Sequence, residues 1–209
     1  PALNNVSLKI EAGEFVFVVG DSGSGKSTLI KIMIGLLRPD TGTIKSNINP
    51  HRDLGIMPQE NVLIPELTVY EQVKLTALIN HVYQQERIGR LLGQFNLADH
   101  AKQVISKLSG GQKRRLSLLL CTLRPVKLLI LDEPTVGMDL TSIDFFWDLL
   151  DRRGGSTIVV THDFNQIDKY FTRVLLLKDG VIAQDVPVKM IHSHNQTIAQ
   201  WYRTVNKEA

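Results

Sequence analysis

Cysteine is nearly absent: Cys121 stands alone in 209 residues. That count excludes an intramolecular disulfide framework and any zinc site built from several thiolates, and it suits a reducing compartment. Long apolar runs are missing too. The stretch from Leu116 to Leu123 is broken by Ser117 and Thr122 and then by Arg124-Pro125, short of the roughly 18 to 20 consecutive apolar residues of a membrane-crossing helix. The chain is therefore not expected to cross a bilayer by itself. It shows no secretory signal pattern, and its start at Pro1 rather than Met reads as a trimmed start. Neither sign of charge dominates, with 24 Lys and Arg against 21 Asp and Glu and a formal net charge of +3. The basic residues are scattered, densest at Lys113-Arg114-Arg115, which favours a solvated surface over a polyanion-binding face. No specific nucleic acid partner is expected. Internal repeats, low-complexity tracts and long Gly/Ser linkers are also lacking.

What is present is ordinary for a folded domain. Hydrophobic residues make up 43% and charged residues 22%, values that argue against disorder and coiled coil. The length suits one domain with at most a small inserted subdomain. Val6, Leu8 and Ile10 alternate with polar residues as in a strand, and Phe15 to Val19 reads as a strand buried on both faces. Lys26 to Leu37 has helical periodicity and ends at Arg38-Pro39-Asp40-Thr41-Gly42. Between about Val62 and Leu108 the pattern changes to short amphipathic helices, near Val69 to Leu78, Gln84 to Phe95 and Asn96 to Val104. There follow a helix from Gln112 to Leu123, a strand from Lys127 to Leu131, a helix from Leu140 to Leu150 and a strand from Thr157 to Thr161. Arg173 to Lys178 and Val181 to Gln184 flank Asp179-Gly180 as a hairpin. Strands alternating with helices predict a mostly parallel sheet covered on both faces. The tail after Met190 fits no pattern; its His192 and His194 lack neighbouring ligands and read as solvated rather than metal-binding.

Three motifs carry chemistry. Gly20-Asp21-Ser22-Gly23-Ser24-Gly25-Lys26-Ser27-Thr28 fits G-x-x-x-x-G-K-[ST] between a predicted strand and a predicted helix. Its glycines let backbone N–H groups turn toward phosphate oxygens, and the helix N-terminus adds partial positive charge. Lys26 is expected to reach the β- and γ-phosphates and Ser27 to ligate Mg²⁺. Leu128-Leu129-Ile130-Leu131-Asp132-Glu133 is a strand ending in two carboxylates, at the rim where open α/β sheets bind ligands. Asp132 there suits Mg²⁺ and Glu133 suits polarising an attacking water. Leu108-Ser109-Gly110-Gly111-Gln112 opens a helix with exposed backbone donors, a second phosphate-binding surface. One γ-phosphate does not need both surfaces from one subunit, so two chains paired head to tail, each completing the other's site, would account for it.

In this order the three motifs resemble the Walker A, signature and Walker B motifs of ATP-binding cassette (ABC) ATPases, over about Leu3 to Asp185. The resemblance implies further roles. Gln59 is similar to the Q-loop glutamine, an oxygen donor toward Mg²⁺ or the attacking water; Asp139, in Gly137-Met138-Asp139, to the D-loop residue at the dimer seam; His162 to the switch histidine that donates to the γ-phosphate. By themselves Gln59 and His162 would be ordinary polar residues, and Asp139 a helix N-cap. The family's adenine-stacking aromatic has no counterpart after Pro1, since Phe15 and Phe17 read as buried strand, and the interval from Thr43 to Gln59 is short for the family's antiparallel subdomain.

The implied fold is a P-loop NTPase: a mostly parallel α/β sheet flanked by helices, a small, reduced antiparallel β-subdomain and an inserted α-helical subdomain. Residues 1–61 and 105–190 would form the nucleotide-binding core, 62–104 the helical subdomain and 191–209 a C-terminal tail. The implied function is an ATPase subunit that binds MgATP, closes into a head-to-tail homodimer and powers transport through separate membrane permease subunits, on the cytoplasmic face of the membrane. Val62, Leu63, Ile64 and Leu67 are candidate contacts for a permease helix. The run Lys113-Arg114-Arg115 after the signature resembles exporters more than importers. A cell-division-type regulator or half of a ribosome-associated tandem protein remains an alternative. The short interval from Gln59 to Leu108 leaves no room for the long coiled coil of a DNA-repair ABC ATPase, and a small-molecule kinase has no need of Ser109-Gly110-Gly111.

Overall fold

Phe15–Val19 (β1) is apolar at every position, and such a strand is stable only where both faces are covered. In the computed structural model, which describes residues 2–164 and 167–207, β1 lies inside a six-stranded sheet. After β1 come the helices Lys26–Met33 (α1) and Pro50–Asp53 (α2), the strand Leu54–Met57 (β2) and the helices Val69–Ile79 (α3), Gln85–Gln94 (α4) and Gly110–Cys121 (α5). The strand Leu128–Asp132 (β3), the helix Leu140–Arg153 (α6) and the strand Ser156–Val160 (β4) follow. The strands Arg173–Lys178 (β5) and Val181–Pro187 (β6) and the helices Val188–Ser193 (α7) and Ile198–Lys207 (α8) end the chain.

The sheet order is β2-β3-β4-β1-β5-β6. Pairs β3/β4, β4/β1 and β1/β5 are parallel, and β5/β6 is an antiparallel hairpin around Asp179-Gly180. The mixed, mostly parallel α/β sheet expected from the sequence is therefore formed. Parallel pairing sends the C-terminal ends of β3, β4 and β1 to one rim.

Two compact units divide the chain. One holds residues 1–54, 127–133 and 154–209; the other holds 55–126 and 134–153. The first unit's core is built on one sheet face from Val16, Val18, Ile130, Ile158, Val160 and Leu175, with Ile30 of α1 and Leu54 packed on it. On β1 the alternate residue Phe17 is fully buried and meets Phe164 and Phe171 ring to ring at 5.5 and 5.2 Å.

In the second unit α3 begins with a capping box, Thr68 accepting from the Glu71 N–H and Glu71 accepting from the Thr68 N–H. Residues 65–70 run beside 101–106: the Val69, Tyr70, Ile105 and Ser106 N–H groups bond the Gln103, Ala101, Leu67 and Pro65 carbonyls.

Four local expectations change. Val6–Ile10 forms no strand, although Leu8 and Ile10 pack against the core, because a period-2 segment needs a neighbouring edge and no strand forms over 43–53 either. The shortened antiparallel subdomain thus leaves no strand in that interval. The helix from Lys26 stops at Met33 rather than Leu37: Gly35 at φ 79° ends it, with Leu36 N–H on the Lys31 carbonyl and Gly35 N–H on that of Ile32. Asn96–Val104 is not a helix but a single 3-10 turn at Ala98–His100, since its following residues give their backbone groups to 65–70. The tail folds as α7 and α8, with Ile191, Ile198 and Trp201 buried.

Candidate functional site

Within the first unit, the loop from Gly20 to Gly25 leaves β1 and enters α1. Gly25 is the N-cap of α1 at φ 103°, and a Cβ there would lie 2.5 Å from the Ala2 carbonyl oxygen, so only glycine fits. The hairpin turn braces the loop, Gly180 donating to the Ser24 carbonyl at 3.1 Å. Asp21, Ser22, Gly23 and Ser27 are exposed, and Thr28 is half-buried.

Lys26 is 8% exposed. Its ammonium donates to the Gly20 carbonyl (2.6 Å), the Asp21 carbonyl (2.7 Å) and, longer, the Ser24 hydroxyl (3.4 Å). All three acceptors are neutral, so among the described residues no full negative charge answers the buried ammonium at hydrogen-bond distance. Burial lowers its pKa below the usual lysine value, while the charges of Glu133, Asp21 and Asp132 oppose the shift.

At the same rim β3 and β4 run in register, Asp132 beside Val160. The next residues, Glu133 and Thr161-His162, consequently arrive together. The Glu133 N–H bonds the Val160 carbonyl at 2.7 Å, and its backbone turns to φ 46°, a left-handed conformation unusual for a non-glycine. Glu133 is 8% exposed. Oε2 accepts from the Thr161 hydroxyl (2.8 Å) and the His162 N–H (3.3 Å), and Oε1 lies 3.3 Å from His162 Nε2. Such a carboxylate, fixed at one oxygen and near an exposed imidazole at the other, is placed to accept a proton from a small molecule at the rim.

The second unit holds the serine-glycine motif. Ser109 caps α5 in a capping box with Gln112, whose side-chain NH₂ also reaches Nε2 of His100 at 2.8 Å. A Cβ on Gly110 would lie 2.5 Å from the Gly137 carbonyl oxygen, and one on Gly111 2.7 Å from the Ser142 hydroxyl. The motif is therefore packed against the Gly137–Asp139 turn. Asp139 accepts from the Ser142 N–H (2.9 Å) and hydroxyl (3.0 Å), bonds that hold its carboxyl below the usual range. The cap geometry weighed in the sequence is present.

The basic run behaves differently from its surface reading, for Arg114 is 3% exposed and Arg115 is also buried. Arg114 donates to the Pro58 carbonyl (3.1 Å), the Asn61 side chain (3.3 Å) and the Gln59 carbonyl (2.5 Å). It clips the segment around Gln59 to the helix that starts at Gly110, while the Gln59 residue stays exposed. Arg115 stacks 5.5 Å from the Phe145 ring, and burial lowers its pKa with Asp139 opposing. The sequence marked Arg114 only as part of a basic run, not as a clip on the Gln59 segment, and nothing in it singled out Thr161. In the tail, His192 bonds Asp168 at 3.0 Å and His194 the Met190 carbonyl at 2.8 Å.

The family model described as ABC transporter matches residues 3–136. The chain belongs to the ABC transporter family. It has the fold of that family's nucleotide-binding domain, and among solved structures it is similar to the dimeric, post-hydrolysis state of the ATP-binding cassette MJ0796 bound to ADP and Pi. That match is 29% identical with a TM-score of 0.77 and covers 90% of each chain. Among curated relatives, the SkfA peptide export ATP-binding protein SkfE of Bacillus subtilis is 32% identical, over 97% of this chain and 88% of its own length. The spermidine/putrescine import ATP-binding protein PotA of Thermotoga maritima is 34% identical, over 87% of this chain and 53% of its own. The chain spans 35% of the length of a relative from Onion yellows phytoplasma, to which it is 35% identical over 90% of this chain. No helix among the described residues is long and apolar enough to cross a membrane.

Proposed function

We propose that this chain binds MgATP and hydrolyses it as the ATPase subunit of an ABC transporter, powering outward movement of a substrate through separate membrane-spanning subunits. The observation that carries the reading is Lys26, a buried ammonium at the mouth of a glycine loop whose acceptors are all neutral. A triphosphate supplies the missing negative charge, and the loop amides and α1 N-terminus add to its binding.

The donor chemistry suits magnesium. The Ser27 hydroxyl and the Asp132 carboxylate are hard oxygen ligands. Bound there, Mg²⁺ would offset charge on the phosphate oxygens. The chain's own residues do the rest: Lys26 and the amides of Gly20 to Thr28 hold and neutralise phosphate, Glu133 orients the attacking water and takes its proton, and His162 donates toward the terminal phosphate.

Ser109, Gly110, Gly111 and Gln112, with Asp139 beside them, form the hook that a second copy offers to the nucleotide, so that two chains pair head to tail around two ATP molecules. The dimeric state of the MJ0796 relative supports this arrangement. Export is supported by the SkfE relative and the run after the signature; PotA is the counterexample, and a transport assay with the permease decides the direction. The helical region 62–104 is proposed as the permease-facing subdomain, with Val62 and Ile64 exposed for contact and Leu63 and Leu67 half-buried behind them. That pairing would hold the chain on the cytoplasmic face of the membrane.

The test is the Glu133→Gln variant in MgATP, sized by light scattering. We expect a nucleotide-dependent dimer that hydrolyses slowly. A protein that binds ATP but stays monomeric at every concentration overturns the pairing, and a parent chain that binds no ATP overturns the whole reading. Purification of the full-length protein from membranes identifies the permease.

A further inference from the structure

The tail helix α8, which no motif accounts for, reaches the phosphate loop. The Tyr202 hydroxyl donates to Oδ1 of Asp21 at 3.3 Å and accepts from the Asn206 amide at 3.3 Å. On its other side the Tyr202 ring packs on Phe164, centroids 5.0 Å apart, two residues beyond His162. Phe164 in turn meets Phe17 of β1, the strand that delivers the loop.

The helix that carries Tyr202 is firmly seated. Ile198 is fully buried and its N–H donates to Asp168 Oδ1 at 2.7 Å, while Thr197 and Gln200 cap each other reciprocally. All of these residues belong to the first unit. Asp21 is therefore pinned at both ends: its carbonyl accepts from the Lys26 ammonium at 2.7 Å, and its carboxylate from Tyr202.

A carboxylate two residues into a phosphate loop is an electrostatic liability. It carries the same sign as the ligand and sits among the amides that must face it, so a freely rotating Asp21 would repel the triphosphate at a few ångströms. We infer that Tyr202 is a positioning residue of the nucleotide site, whose hydroxyl holds the Asp21 carboxylate at α8 and away from the bound phosphates. The inference rests on the ATP-binding reading above and adds the C-terminal helix to that site. Burial, and then the Asp21 charge, raise the Tyr202 phenol above its ordinary pKa, so it remains a donor throughout the neutral range.

A double-mutant cycle with a nonhydrolysable MgATP analogue tests it by calorimetry. Tyr202→Phe keeps the ring on Phe164 and removes only the hydroxyl. It should weaken binding roughly three- to tenfold, the scale of one partly exposed side-chain hydrogen bond, and in steady-state hydrolysis of ATP itself the loss should appear in KM rather than in kcat. Asp21→Asn removes the repelling charge and should tighten binding, and adding Tyr202→Phe to it should then cost nothing. Equal affinity of Tyr202→Phe and the parent overturns the inference. So does a loss that persists undiminished in the Asp21→Asn background, since that would mark a packing effect. Failure of the parent to bind the analogue strikes the ATP reading and this inference with it, whereas binding by the parent with no effect of Tyr202→Phe strikes this inference alone.

Discussion

Glu133 and His162 meet across the ends of two adjacent parallel strands, with 3.3 Å between carboxylate Oε1 and imidazole Nε2. Neither β3 nor β4 alone makes this pair; the register that puts Asp132 beside Val160 does. The two side chains should act as a unit. His162→Ala is expected to lower kcat by roughly a hundredfold and Glu133→Gln by as much or more, the range for loss of a positioned proton-transfer group, with ATP affinity little changed. Because each loss breaks the same constellation, the double variant should be no slower than Glu133→Gln alone. Single-turnover hydrolysis measures this. Losses that multiply would mean the two residues work independently.

Lys26→Ala should abolish measurable ATP binding, and a pH titration gives a finer check. Burial has lowered the Lys26 pKa in the nucleotide-free protein, so the ammonium begins to lose its proton at a lower pH than an ordinary lysine. A bound triphosphate favours the charged form and pulls that pKa back up. Affinity should therefore fall as pH rises through the lowered pKa, with proton uptake accompanying binding over that interval. Calorimetry in two buffers of different ionisation enthalpy reads the uptake directly. No uptake, with affinity constant to alkaline pH, would detach Lys26 from the phosphates.

The phosphate loop was legible from its residues because its determinants are local: a strand too apolar to be exposed, glycines where φ must be positive, and a lysine on the first helical turn. The hairpin at Asp179-Gly180 was legible for the same reason. What escaped depends on distant partners. The alternation at Val6, Leu8 and Ile10 states only that one face is buried, not that a neighbouring edge exists, and no strand forms there. Arg114 looked like part of a surface basic run because nothing in its neighbourhood shows that carbonyls near Gln59 will accept from it. Asn96 to Val104 had helical periodicity, but Asn96 at φ 53° and the backbone bonds to residues 65–70 overruled it. Tyr202 lies in a tail with no motif, and only the folded chain brings it to Asp21.

Arg114 should cost far more to remove than its neighbour Lys113. Arg114→Leu leaves the Pro58 and Gln59 carbonyls and Asn61 without their shared donor, a loss of about 1–3 kcal/mol in unfolding free energy. Arg114→Lys should recover little of it, since an ammonium cannot span the same acceptors in a fixed fork. Lys113→Ala, on the neighbouring turn position, should stay within about 0.5 kcal/mol of the parent. Urea denaturation of the three variants orders them. Equal stability of Arg114→Leu and Lys113→Ala would show that the clip contributes nothing.

The serine-glycine motif offers the sharpest separation of nucleotide binding from pairing. Gly110→Ala places a methyl group 2.5 Å from the Gly137 carbonyl oxygen, so the Gly137–Asp139 turn must shift. Gly137 is exposed and at φ 78°, in a turn that can yield, so the fold should survive and the phosphate loop should still bind MgATP. What should be lost is the shape that one copy presents to its twin's nucleotide. Combined with Glu133→Gln, Gly110→Ala is expected to remain monomeric in MgATP while binding it as the single variant's monomer does. Scattering and calorimetry on the same samples distinguish the two events. A dimer that forms at the same ATP concentration as with Glu133→Gln alone would remove Gly110 from the seam.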